Sequence, residues 1–180
     1  MGDVNSRIYA SKEELINYED ISRAPARLRW MQLTSTVFEL TAGEHSFGSL
    51  QFQGSRAIGT AADGKWTFDL GGFFQKRIKI RELKTLRDVG SIALGGADAG
   101  VLVDPGGSAR LSTLVWSQRQ RAWTSEDDWL IRFQPGGESS ADLFKFQYDV
   151  ELDNSIRNLR ELSLLILIGW YALALTRRNR

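Results

Sequence analysis

The sequence predicts a mainly β fold: a closed antiparallel barrel of about twelve strands wrapped around a hydrophobic C-terminal α-helix. Three observations support it. From residue 28 onward, short runs rich in β-branched and aromatic residues alternate with Gly, Pro and Asp turn clusters, with no helical periodicity between them. Near the C-terminus, Asn154-Ser155-Ile156-Arg157-Asn158-Leu159-Arg160-Glu161 leads into an apolar run over 162–176, closed by Arg177-Arg178-Asn179-Arg180. A helix that is apolar all round must hide every face, in a protein core or in lipid. The third observation is strand number: an antiparallel sheet this long exposes two edges unless it closes.

The strand-like runs fall at 28–40, 46–53, 55–61, 65–70, 73–82, 86–94, 99–103, 108–116, 119–125, 128–134 and 143–152. The breaks are turn chemistry: Asp63-Gly64, Gly71-Gly72, Gly95-Gly96, Asp104-Pro105-Gly106-Gly107 and Pro135-Gly136-Gly137. Asp63-Gly64 between two such runs is the clearest hairpin signal. Short strands without intervening helices argue for a meander rather than βαβ units. A barrel of about a dozen strands is too wide for its own side chains to fill, and the terminal helix is the one segment able to plug it. That helix, about 155–177, carries Leu164, Leu165, Ile166, Leu167, Ile168, Gly169, Trp170, Leu173 and Leu175 as its core-facing set. Gly169 would admit a bulky wall residue, with Trp170 filling the opposite gap.

The competing place for this helix is lipid. The 15 residues over 162–176 reach about 22 Å at 1.5 Å per residue. A bilayer core of roughly 30 Å wants about 20 apolar residues. Arg160 and Glu161 on one side and Arg177 and Arg178 on the other block extension, though snorkelling arginines could accommodate a short span. Length therefore favours a buried central helix over the alternative, a small β-domain tethered by a C-terminal tail anchor.

Before the barrel, residues 1–27 read as an N-terminal arm. Ser11-Lys12-Glu13-Glu14 forms a capping box for a short helix over about 12–20, ended by Arg23-Ala24-Pro25. Met1-Gly2-Asp3-Val4-Asn5 offers neither a basic nor an apolar leader region, so no signal peptide is expected. Gly2 and Ser6 match the myristoylation pattern only in form. Lys+Arg 23 against Asp+Glu 22 leaves a formal charge of +1, which gives no global field for nucleic acid. The absence of cysteine excludes disulfides and thiolate metal sites and fits a reducing, cytoplasmic compartment.

Chemistry-bearing groups are sparse. On the run 73–83, Arg77, Lys79 and Arg81 share one face while Phe74, Ile78 and Ile80 share the other. Three cations in a row suit an anionic lipid or phosphate, although a solvated strand face with cross-strand carboxylates is the simpler account. Arg119 and Arg121 show the same parity on a later strand and would extend the stripe if that strand lay beside it. Glu126-Asp127-Asp128 lacks the spaced ligands and glycine of a calcium loop, so no metal is expected there. His45, the single histidine, follows Gly43-Glu44 and has no cysteine to activate; Ser46 and Ser49 beside it do not make a triad. The glycine pairs match neither a P-loop nor a dinucleotide fingerprint. Trp30, Trp66, Trp116, Trp123, Trp129 and Trp170 are expected between wall and helix rather than stacked on bases. No enzyme and no cofactor are expected.

Gly64-Lys65-Trp66-Thr67-Phe68 leading into Phe73-Phe74-Gln75-Lys76-Arg77-Ile78-Lys79-Ile80, the short strand pairs that follow, and the apolar stretch 164–175 resemble the tubby-like barrel superfamily, in its LURP-one-related and phospholipid-scramblase-like branch. The resemblance covers about 28–180. It implies a barrel of about twelve strands around a buried C-terminal helix. Members bind phosphoinositides, are implicated in lipid scrambling or have no established activity, and no catalytic motif is shared. The expectation is a peripheral module that binds anionic lipid, a membrane surface or a protein partner.

Overall fold

A computed structural model describes residues 17–94, 99–103, 114–126, 128–136 and 147–178, with the backbone alone at 99–103 and 177–178. The strands are β1 (Arg27–Gln32), β2 (Val37–Ala42), β3 (His45–Gln53), β4 (Arg56–Ala61), β5 (Gly64–Gly71) and β6 (Lys76–Glu82). They continue as β7 (Asp88–Leu94), β8 (Ala99–Val103), β9 (Val115–Ser117), β10 (Ala122–Ser125), β11 (Asp128–Pro135) and β12 (Gln147–Leu152). A C-terminal α-helix, α1 (Leu162–Arg178), follows. The protein is mainly β, with antiparallel strands and a C-terminal helix. Consecutive strands pair, and β1 pairs with β12 as well as β2, so the hydrogen-bonded order returns to its start.

Several boundaries differ from the sequence reading. The run 28–40 is two strands, because the chain turns at 33–36 without Gly or Pro. The Thr34 hydroxyl accepts from the Thr36 and Val37 amides, a side-chain turn that substitutes for glycine chemistry. The run 73–82 begins only at Lys76, and 119–125 only at Ala122. The expected strand 108–116 survives at Val115–Ser117, and 143–152 at Gln147–Leu152. Positions 108–113 and 143–146 lie outside the described residues.

The expected helix over 12–20 also lies largely outside them. Residues 17–20 are not helical; a single 3-10 turn, Ile21–Arg23, follows, with the Asp20 carboxylate accepting from the Ser22 amide at 2.9 Å. This segment is docked. The Tyr18 hydroxyl donates to Ser49 Oγ at 2.7 Å, the Glu19 amide to the Ser46 carbonyl at 2.8 Å, and Ile21 and Ala24 are buried.

Inward residues alternate along the wall: Leu28 and Trp30 on β1, Ile78 and Ile80 on β6, Tyr148, Val150 and Leu152 on β12. The helix fills the space they face. Every residue from 162 to 175 is buried, and α1 touches β3, β4 and β5 on one side and β10 and β11 on another. Gly169 lies against Phe133 and Trp116, where an added Cβ would sit 2.5 Å from the Phe133 ring. Trp170 points elsewhere, stacked on Trp30 at 5.5 Å and edge-on to Phe38. On the wall, Gly59 makes room for Leu167 and Phe68. Three polar ties fix depth and rotation. Trp123 Nε1 donates to the Leu165 carbonyl at 2.8 Å, the Tyr171 hydroxyl to the Ser55 carbonyl, and Gln118 Nε2 to Thr176 Oγ1 at 3.2 Å.

Outside, β12 joins its two neighbours through one carboxylate. Glu151 faces Arg27 of β1 and Arg132 of β11 in register, and it accepts from both guanidinium groups. The hydrogen bond from Arg132 holds its carboxyl below the ordinary value of 4.5; burial pushes the other way, and the hydrogen bond from Arg27 and the two positive charges add to the lowering.

Two predictions follow from this packing. Gly169→Val is expected to destabilise the protein by about 1–3 kcal/mol through overpacking against Phe133, read by urea denaturation. For Glu151, a lowered folded-state pKa means stabilisation that is fully present above about pH 4.5 and lost as pH falls through the lowered value. Glu151→Gln should therefore be less stable than wild type at neutral pH. The gap should narrow as denaturation is repeated down to about pH 3.

Candidate functional site

In an antiparallel ring, alternate connections lie at the same end. The turns at 33–36, 54–55, 72–75 and 118–121 share one end; those at 43–44, 62–63, 83–87 and 126–127 share the other. The ties from Tyr171 to Ser55 and from Thr176 to Gln118 show that the C-terminal end of α1 arrives at the first. Arg177 and Arg178 close the helix there.

β6 crosses between these ends, with Ile78 and Ile80 buried and Arg77, Lys79 and Arg81 exposed. Phe74 does not share the inward face with the two isoleucines. It lies in the β5–β6 turn before the strand begins, almost wholly in solvent. The three cations are not equivalent. Arg81 Nε pairs with Asp88 Oδ1 at 2.7 Å on β7. Arg77 Nη1 donates to Ser91 Oγ at 3.2 Å, and among the described residues it pairs with no carboxylate. Lys79 stands in register with Asp69 of β5 and Ser91 of β7, but Asp69 is held by Arg56 at 2.7 Å. Arg77 and Lys79 thus carry the stripe's net charge, with exposed Lys76 beside them.

Arg119 and Arg121 are not on a strand. They occupy the β9–β10 turn, where Arg121 has φ +54°. β7 and β8 separate that hairpin from β6, so these arginines do not extend the stripe along a shared face. What they share with Arg77 is the end of the barrel.

The remaining candidates are accounted for by local structure. His45 opens β3 rather than sitting in a turn, its Nδ1 3.2 Å from Glu19 Oε1. Glu126 forms a turn at φ +55° and Asp128 begins β11, while Asp127 lies outside the described residues. Among the described residues, no three His, Asp or Glu side chains cluster as metal ligands. Trp30, Trp66, Trp116 and Trp123 are buried on the wall, and Trp170 is buried on α1. Trp129 lies under the Arg132 guanidinium at 4.4 Å. Burial, with the Asp69 carboxylate adding to it, pushes the Tyr171 hydroxyl well above its ordinary value. It stays protonated and donates to Ser55, a structural role. A shallow groove of ≈ 590 Å³ crosses the outer faces of β2–β5, between Tyr18, Val37, Ile58 and Leu83.

The sequence reading missed one feature at this end. Phe73 and Phe74 are 96% and 99% exposed. A signal was present: two adjacent aromatics in a strand must face opposite sides, so both cannot be core, and Gly71-Gly72 precedes them. Compared with known proteins, the chain matches no family model, no curated protein and no solved structure. Among the described residues, no helix is long and apolar enough to cross a membrane.

Proposed function

We propose that the chain is a non-enzymatic, tubby-like domain of the LURP-one-related and scramblase-like type, acting as a peripheral module on anionic membrane. The observation that carries this reading is the positive charge of Arg77 and Lys79 on an outward face, which no carboxylate pairs with among the described residues, with Lys76 adjacent. Each basic group near an anionic lipid surface contributes about 1 kcal/mol. Supporting the architectural part are the Gly64–Gly71 strand followed by the alternating β6, and an apolar helix inside the ring of strands. The tail-anchor alternative would require that helix to leave the wall residues that bury it.

Replacing Arg77 and Lys79 together by glutamine should lower partitioning into phosphatidylserine-containing vesicles about 30-fold at low salt, taking about 1 kcal/mol from each. Arg81→Gln combined with Asp88→Asn, which removes the pair without changing the net charge, should change it far less. Cosedimentation measures both, and equal effects would refute the assignment. Deleting 162–180 separates the two architectures. A barrel built on the helix loses about 1.5–3 kcal/mol for each large apolar side chain removed and should unfold by circular dichroism. A tail-anchored domain would remain folded.

A further inference from the structure

The most exposed apolar groups among the described residues are Phe73 and Phe74. Their rings meet edge-to-face at 5.1 Å. The turn that holds them is set by Gly72, whose φ of +101° suits glycine alone. The chain therefore reverses at 72–75, and the pair forms its tip beyond the wall. Leu33, 55% exposed, lies in the β1–β2 turn at the same end.

Charge is arranged around this tip. Lys76 and Arg77 follow it directly, and Arg119 and Arg121 occupy the β9–β10 turn at that end. Two connections at this end, 95–98 and 137–146, lie outside the described residues; the other four, 33–36, 54–55, 72–75 and 118–121, contain no carboxylate. Asp69, the nearest acid on β5, is paired with Arg56. The opposite end carries Glu44, Asp63, Glu126 and Asp153 in its connections, together with Lys84 and Arg87 in the β6–β7 turn. Among the described residues, the end tipped with aromatic rings thus has bases without acids in its turns, and the other end has both signs.

We propose that the basic end is a bilayer-insertion surface, with Phe73 and Phe74 entering the acyl boundary of an anionic membrane and the barrel standing end-on. A bilayer fits both halves of the pattern. Aromatic rings beside cations match an apolar interior under an anionic headgroup layer. The inference rests on the anionic-membrane reading above and adds to it an orientation and an inserted element. The stripe on β6 alone would lay the barrel on its side.

Because the chain has no cysteine, Phe74→Cys and Leu86→Cys each provide one attachment point for a polarity-sensitive thiol dye. Leu86 is 70% exposed and lies in the β6–β7 turn at the opposite end. The probe is vesicles of phosphatidylcholine with about one third phosphatidylserine, against phosphatidylcholine alone, with cosedimentation of the unlabelled protein in parallel. The expected result is a blue shift and severalfold brighter emission at position 74 with the anionic vesicles only, and none at position 86. The double change Phe73→Ser and Phe74→Ser should weaken partitioning by about tenfold or more, with an unchanged thermal melt. Cosedimentation without a shift at position 74 would overturn the wedge and leave the anionic-membrane reading standing. A shift at position 86 instead would overturn the orientation. Failure of the wild-type protein to sediment with either vesicle would overturn both. Concentration-dependent dimerisation abolished by the serine pair would assign the rings to a second copy of the chain and overturn the proposal.

Discussion

A ring of twelve strands encloses more space than its own inward side chains can fill, and the C-terminal helix occupies that space. The rest of the structure is arranged around this constraint. Large wall residues, among them Trp30, Phe68, Trp116 and Phe133, close on the helix. The two places where contact would be too tight are relieved by glycine, Gly169 on the helix and Gly59 on the wall. Apolar packing alone would leave the helix free to rotate or slide, since leucine and isoleucine present similar surfaces on every side. The hydrogen bonds from Trp123, Tyr171 and Gln118 remove that freedom, each at a different level along the axis.

A wall that encloses a helix also needs its last strand joined to its first. β12 pairs with β1 by backbone hydrogen bonds. Glu151 adds a charged link across three strands by holding Arg27 and Arg132 together. Arg29 and Asp149 repeat the motif one pair away at 2.9 Å. Exposed ion pairs contribute little singly; a shared, half-screened carboxylate between two arginines contributes more, because one ordered group serves both partners. The N-terminal segment reinforces the wall through Tyr18, Ile21 and Ala24.

Occupancy of the lumen has a functional corollary. With α1 inside, the described residues bury the large inward side chains of the wall against the helix, and charged groups lie on the outer faces and in the turns. That surface is unevenly charged although the chain as a whole is nearly neutral at +1. Antiparallel winding sends alternate turns to opposite ends; among the described residues the turns at one end carry Arg119 and Arg121 with no carboxylate, while those at the other carry Glu44, Asp63 and Glu126 together with Lys84 and Arg87. A modest net charge can therefore coexist with a local basic patch.

Much of the architecture was legible locally. Period-2 alternation on β6, the Asp63-Gly64 turn and the continuous apolar run at the C-terminus are properties of neighbouring residues, and they indicate strands, a hairpin and an all-round buried helix. The turn at 33–36 was not legible, because it relies on the Thr34 side chain rather than glycine or proline. Placement of Phe74 on the inward face failed for a related reason: parity counts only inside a strand, and the strand starts at Lys76. Charge type and spacing were written into the chain, so Arg77, Lys79 and Arg81 could be found as a stripe. Which of them is neutralised depends on Asp88 and Asp69, supplied by neighbouring strands through register. The gathering of Phe73, Phe74, Arg119, Arg121 and the end of α1 at one end was decided only by tertiary structure. Residues about a hundred positions apart meet there through the order of strand pairing and the direction of the buried helix, neither of which is a local property of the sequence.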